Sequence, residues 1–205
     1  MTDQELEDEL LSHGLHHTEV PAAAAAYRQL KRTYNFDFDY DYDIDFCEFH
    51  CFARNIASYC SPVWTINNNG YTSHLCFTSV SSGTGSGRSA DLQVWGVVKL
   101  KKNYGHLLIK NETLLDKVHD LIKPIDIDFK EDKTFSKRFL VVSNDEMQAR
   151  LLLNDSFRMH VSNLQTKEIS IEIKGYDLII GNEKGIEVST ATDIVRFIHA
   201  VAGIY

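Results

Sequence analysis

The sequence has no excess of basic residues: Lys and Arg total 21 against 29 Asp and Glu, for a net charge of −8. An acidic chain has no general attraction for phosphate backbones or anionic lipid, so neither nucleic acid nor a membrane surface is an expected partner. A long apolar run is also missing. Segment 55–87 is the longest stretch without formal charge, but it is rich in Asn, Ser, Thr and Gly. A membrane span needs about 20 consecutive apolar residues, so no membrane insertion is predicted. The start, Met1-Thr2-Asp3-Gln4-Glu5, is acidic where an export signal is basic and then apolar. A cytoplasmic location is therefore expected. The four cysteines, Cys47, Cys51, Cys60 and Cys76, form no C-x-x-C pair, and reduced, mostly buried thiols are the expectation.

Several catalytic signatures fail on inspection. Segment 82–89 approaches a phosphate loop, but Ser82 replaces the first Gly and Arg88 replaces Lys. The alternating strand pattern that follows offers no helix N-terminus for a phosphate. Thr84 stands two residues before Ser86, where a nucleophile elbow needs Gly. No H-E-x-x-H occurs. No catalytic residue is assigned, and no cofactor is expected.

What is present is the patterning of a folded protein: 43% hydrophobic and 24% charged residues are enough for a core. Thr2 and Glu5 have capping-box spacing ahead of Leu6, Leu10 and Leu11. Pro21 opens a second, alanine-rich helix. From Phe36 to Phe46 the period becomes 2, with aromatic residues and Ile44 on one face and Asp37, Asp39, Asp41, Asp43 and Asp45 on the other. Asn67-Asn68-Asn69-Gly70 predicts a hairpin between strands Val63–Ile66 and Tyr71–Val80, and Leu92–Leu100 alternates again. Further strands are predicted at Leu107–Lys110, Phe139–Ser143, Glu168–Lys174 and Leu178–Ile180. Helices are predicted around Leu114–Ile122, after a cap at Asn144, and from Thr190 and Asp193 to Gly203. Segregated strands and helices give an α+β fold: a mainly antiparallel sheet, two N-terminal helices, and helices packed in the C-terminal half. The expected organisation is an N-terminal helical segment, 1–34, and an α+β domain, 35–205, with sub-lobes 35–110 and 125–205.

The run Phe135-Ser136-Lys137-Arg138-Phe139-Leu140-Val141, followed by Asp145, Ala149-Arg150 and Leu152, resembles an uncharacterised bacterial family. In that family an F-x-[KR]-x-F-x-V strand precedes a D-x-x-x-A-R-x-x-L helix. Ile125–Phe129 and the strand ending Leu178-Ile179-Ile180 are similar too. The resemblance implies a fold and no known activity. Some members are tethered by transmembrane helices, which are not found in this sequence.

Asp37, Asp39 and Asp41 match positions 1, 3 and 5 of a calcium loop, with Glu48 at position 12. Tyr42, however, stands where the loop requires Gly. As a strand face the same acids would hold a divalent ion only if a second strand supplied oxygens; otherwise they form a solvated face that resists edge pairing. Cys47, His50 and Cys51 cannot close on one zinc if the segment is extended, because His50 then points away from the two thiols. His13, His16 and His17 read as an exposed terminus, and Lys130, Lys133, Lys137 and Arg138 as a surface ion-pair patch. The expected function is a non-catalytic module that binds a protein partner or a second copy of itself. Its candidate contacts are Leu6, Leu10 and Leu11 on the first helix and Trp64 and Tyr71 in the uncharged β-segment. The alternative is a small metal-dependent enzyme built on the Asp37–Asp45 ladder.

Overall fold

The computed structural model describes residues 1–39, 42, 44–52, 56–68, 70–82, 89–111, 125–166, 168–182 and 185–205. Its centre is a nine-stranded, wholly antiparallel sheet. The strands are β1 Phe36–Asp39, β2 Ile56–Asn68, β3 Tyr71–Ser82, β4 Ser89–Lys99, β5 His106–Asn111, β6 Ile125–Asp126, β7 Phe139–Ser143, β8 Ile169–Lys174 and β9 Asp177–Asn182. Their spatial order is β1-β2-β3-β4-β9-β8-β5-β7-β6. Because β4 pairs with β9, and β5 with β7 and β8, segments 35–110 and 125–205 share one sheet.

Six helices accompany the sheet among the described residues: α1 Asp3–Ser12, α2 Val20–Lys31, α3 Lys133–Arg138, α4 Glu146–Leu152, α5 Asp155–Ser162 and α6 Val188–Val201. The α1 capping box forms as expected: the Thr2 hydroxyl accepts the Glu5 N–H at 3.2 Å and Glu5 accepts the Thr2 N–H at 2.6 Å. In α2, Ala23, Ala24 and Ala26 are fully buried, and small side chains there let the helix approach α1 and α6. Helix α6 crosses β4 at Gly96, where an added Cβ would lie 2.6 Å from Ile194 Cγ2 and 2.7 Å from Ile198 Cγ2. These helices cover one face of the sheet, where Trp64, Phe77, Ile109, Ile171 and Ile180 point into the larger core.

A smaller core lies on the opposite face. There the segment 46–52, two short 3₁₀ turns at Phe46–Glu48 and His50–Phe52, covers Val63, Cys76, Trp95, Val97, Leu108 and Ile179. Trp95 pairs across strands with Gly181, whose missing Cβ leaves room for the indole ring, and Phe52 packs on that ring at 4.6 Å.

Several sequence expectations change. Of the strand predicted over Phe36–Phe46, Phe36–Asp39 forms β1, while Asp45 caps a 3₁₀ turn by accepting the Cys47 N–H at 2.9 Å. The hairpin forms, with Gly70 at φ +86°, but β2 begins at Ile56 rather than Val63. The helix cap is Asp145, not Asn144, whose side chain accepts the His106 N–H instead. Asn154 starts a further helix, α5, that is not among the predicted elements. The last helix begins at Val188, ahead of Thr190. Asp193 is buried within it and accepts both the Gln165 and Thr166 N–H groups. The predicted helix over Leu114–Ile122 and the Gly/Ser segment 83–88 lie outside the described residues.

Candidate functional site

Strand alternation decides what stands beneath the covering segment. On β8, Ile169, Ile171 and Ile173 turn to the helix-covered core, so Glu172 and Lys174 turn the other way. Segment 46–52 closes over Glu172 and leaves it with no exposed surface. An unpaired carboxylate there would be very costly, and this one is fully engaged. Its Oε1 accepts the His50 N–H at 2.8 Å and its Oε2 the Cys51 N–H at 2.9 Å. His106 Nε2, at the start of β5, lies 2.7 Å from Oε1. An ionised carboxylate only accepts, so Nε2 carries the proton. Burial works to raise the Glu172 pKa, but the hydrogen bonds from His106 and from the His50 and Cys51 amides outweigh it. The group is held below the usual carboxylate range. Glu172 is therefore a clamp that holds the covering segment to the sheet. At its edge Lys174 pairs with Glu48 at 3.0 Å.

His50 contributes a further feature. Its ring meets that of His106 edge-on with centroids 5.9 Å apart, and its Nε2 is shut away from solvent without a hydrogen-bond partner. One ligand atom from each of His50, His106 and Glu172 lies within 4.8 Å of the others. This trio could hold a metal ion. The extended geometry assumed for Cys47, His50 and Cys51 is corrected: the segment is 3₁₀, and the neighbours of His50 come from β5 and β8 rather than from the thiols.

Beside the clamp opens a cleft of about 470 Å³, lined by Tyr42, His74, Val97, Lys99, Lys174 and Asp177 among others. Tyr42 stacks on His74 with ring centroids 3.6 Å apart. The Thr65 hydroxyl donates to Asp39 at 2.6 Å, so its 3.1 Å contact with His74 Nδ1 places a proton on that nitrogen. Burial lowers the His74 pKa more than nearby Asp39 raises it.

The residues next to the cleft-lining ones form an exposed apolar rim. Tyr71 precedes Thr72, Tyr176 precedes Asp177, and both Thr72 and Asp177 line the cleft. Tyr71 is 43% exposed, Tyr176 47% and Ile204 58%. Their proximity follows from main-chain bonds: the Leu100 N–H donates to Tyr176 O and the Lys101 N–H to Tyr205 O, each at 2.7 Å. The Lys101 ammonium sits over the Tyr71 ring at 5.1 Å, and Gly203 abuts the same ring.

The candidate contacts separate accordingly. Leu6, Leu10 and Trp64 are buried in the chain's own core, which removes them from an interaction surface. Leu11 is partly buried against that core, and Tyr71 is exposed. Asp37 and Asp39 share a face of β1, but Asp37 lies 4.0 Å from Lys31 Nζ and Asp39 is bonded to Thr65. Asp41 lies outside the described residues. In the patch at 130–138, Arg138 donates to the carbonyls of Ser162 and Leu164, joining α3 to the end of α5 and the loop after it. The Glu172 clamp was not anticipated, since a Glu between isoleucines reads as the wet face of a strand. Only the segment folded over it reverses that reading.

No protein-family profile matches the chain, and no curated protein matches it. Among solved structures, the crystal structure of the mycobacterial trehalose monomycolate transport factor A, TtfA, is similar in fold. The likeness has a TM-score of 0.55 at 8% identity and covers 90% of this chain and 95% of that one.

Proposed function

We propose that the protein is a non-catalytic binding module, acting in the cytoplasm, that takes hold of a partner protein at the end of the sheet where Tyr71, Tyr176 and Ile204 stand exposed. The observation that carries this reading is that apolar rim, set against the 470 Å³ cleft. Tyrosine at the margin of a concave surface offers large contact area and a polar tip, the character of interface anchors. At the same end Lys99 pairs with Asp177 and Lys174 with Glu48, each at 3.0 Å, so the charges beside the apolar rim are balanced and the rim itself offers the contact area. The free thiols of Cys47, Cys51 and Cys76 are consistent with a reducing compartment.

The test is quantitative capture from the native host with wild-type and Tyr71→Glu/Tyr176→Glu baits, together with sedimentation of each. The reading expects a stoichiometric partner, or a self-associated form, that the double variant loses while keeping its circular dichroism and melting temperature. Association that survives the double substitution, or its absence in the wild type, overturns it.

A further inference from the structure

We propose that His50, His106 and Glu172 form a binding site for one divalent transition-metal ion of the zinc class. This goes beyond the protein-binding reading and does not depend on it. Two imidazoles and a carboxylate are a donor set that suits zinc and its neighbours, and three protein ligands leave a fourth position to water. The three come from separate places in the chain, the covering segment, β5 and β8, and their ligand atoms lie within 4.8 Å of one another. Ligand bonds of about 2.0–2.1 Å in a tetrahedron place ligand atoms roughly 3.3 Å apart. The widest pair must therefore close by about 1.5 Å at that geometry. His50 supplies that movement, because it sits on a 3₁₀ turn rather than in the hydrogen-bonded sheet.

Two further observations point to a ligand. His50 Nε2 is a buried nitrogen with nothing to bond, and native structures rarely leave such an atom without a reason. Glu172 is held in place by the His50 and Cys51 amides, the kind of outer hydrogen bonding that orients a metal-ligating carboxylate. The ion takes the place of the proton that now bridges His106 Nε2 and Glu172; in the neutral ring that proton moves to Nδ1, so Nε2 is free to coordinate. The His106 side chain is 23% exposed, which gives the ion a way in from solvent. Once bound, the ion joins the covering segment to the two strands beneath it.

The test uses the full chain, stripped with chelator and titrated with Zn²⁺ or Co²⁺ alone. Binding is read by native mass spectrometry, Co²⁺ ligand-field absorption and melting temperature. The expected result is one ion per chain and a raised melting temperature. His50→Ala and His106→Ala should each weaken Zn²⁺ binding by at least about 100-fold, the upper end of what outer-shell changes alone cost. Cys47→Ser and His16→Ala/His17→Ala should leave it unchanged. If His106→Ala does not fold, His50→Ala decides alone, since its Nε2 bonds to nothing in the metal-free protein. Failure of the folded wild type to bind a stoichiometric ion overturns the proposal. So does binding that persists in His50→Ala, or that is lost with Cys47 or the His16/His17 pair.

Discussion

Replacing Glu172 by Gln preserves the shape of the side chain but puts an amide NH₂ where a carboxylate oxygen now accepts. Oε1 receives the His50 N–H and faces His106 Nε2, while Oε2 receives the Cys51 N–H. Whichever way the amide turns, at least one donor then faces another donor. A buried donor left unpaired costs about 1–3 kcal/mol, and loss of charge assistance in the surviving bonds adds about 1 kcal/mol each. The expected destabilisation is about 3–5 kcal/mol, the range found when a buried charged pair is broken. The covering segment also buries Phe46, Phe49 and Phe52, each stabilising by about 1.5–3 kcal/mol. The apolar contribution is the larger, so the segment remains seated and the loss shows as easier opening. Urea unfolding in chelator should give a lower midpoint with an unchanged slope. Amide exchange should accelerate at His50 and Cys51 ahead of the strand residues. Stability within about 0.5 kcal/mol of wild type, the range of an ordinary surface change, with unaltered exchange at those two amides, refutes the clamp.

Two other outcomes follow from the packing. His74 is held neutral by burial, so its stabilising contribution is complete above its ordinary value, about 6.5, and declines as pH falls through the lowered folded value. His74→Phe keeps the stack on Tyr42 but cannot titrate, so it should lose less stability than wild type between about pH 7 and pH 5, measured by denaturant midpoints. Gly96→Ala places a methyl group against Ile194 and Ile198 and should cost about 1–3 kcal/mol, seen as a lower melting temperature. An unchanged melt would mean that α6 shifts freely on the sheet.

Much of the framework was legible from the sequence. Period-2 alternation located β7, β8 and the hairpin closed at Gly70, and the Thr2/Glu5 spacing located the start of α1, because these depend on neighbours a few residues away. Alternation holds over Phe36–Asp39, which is β1, but fails at Phe46, which opens a 3₁₀ turn and packs into a second core. The motif residues Phe139, Val141, Ala149 and Leu152 all serve the helix-side core, and Asp145 the α4 cap.

The site belongs to the tertiary structure. Residue types alone mark His50, His106 and Glu172 as polar groups lying 56 and 66 or more positions apart in the chain, and nothing local connects them. Alternation by itself assigns Glu172 to the face opposite the isoleucines, but not whether that face is wet. Folding segment 46–52 onto it removes the water, and only then must the carboxylate find three donors. The same physics separates the candidate contacts: one hydrophobicity describes Trp64 and Tyr71, yet Trp64 lies mid-strand beneath the helices while Tyr71 stands at the hairpin's end in solvent. Local sequence sets which way each side chain points along its own strand or helix; what covers it is set by segments far away in the chain.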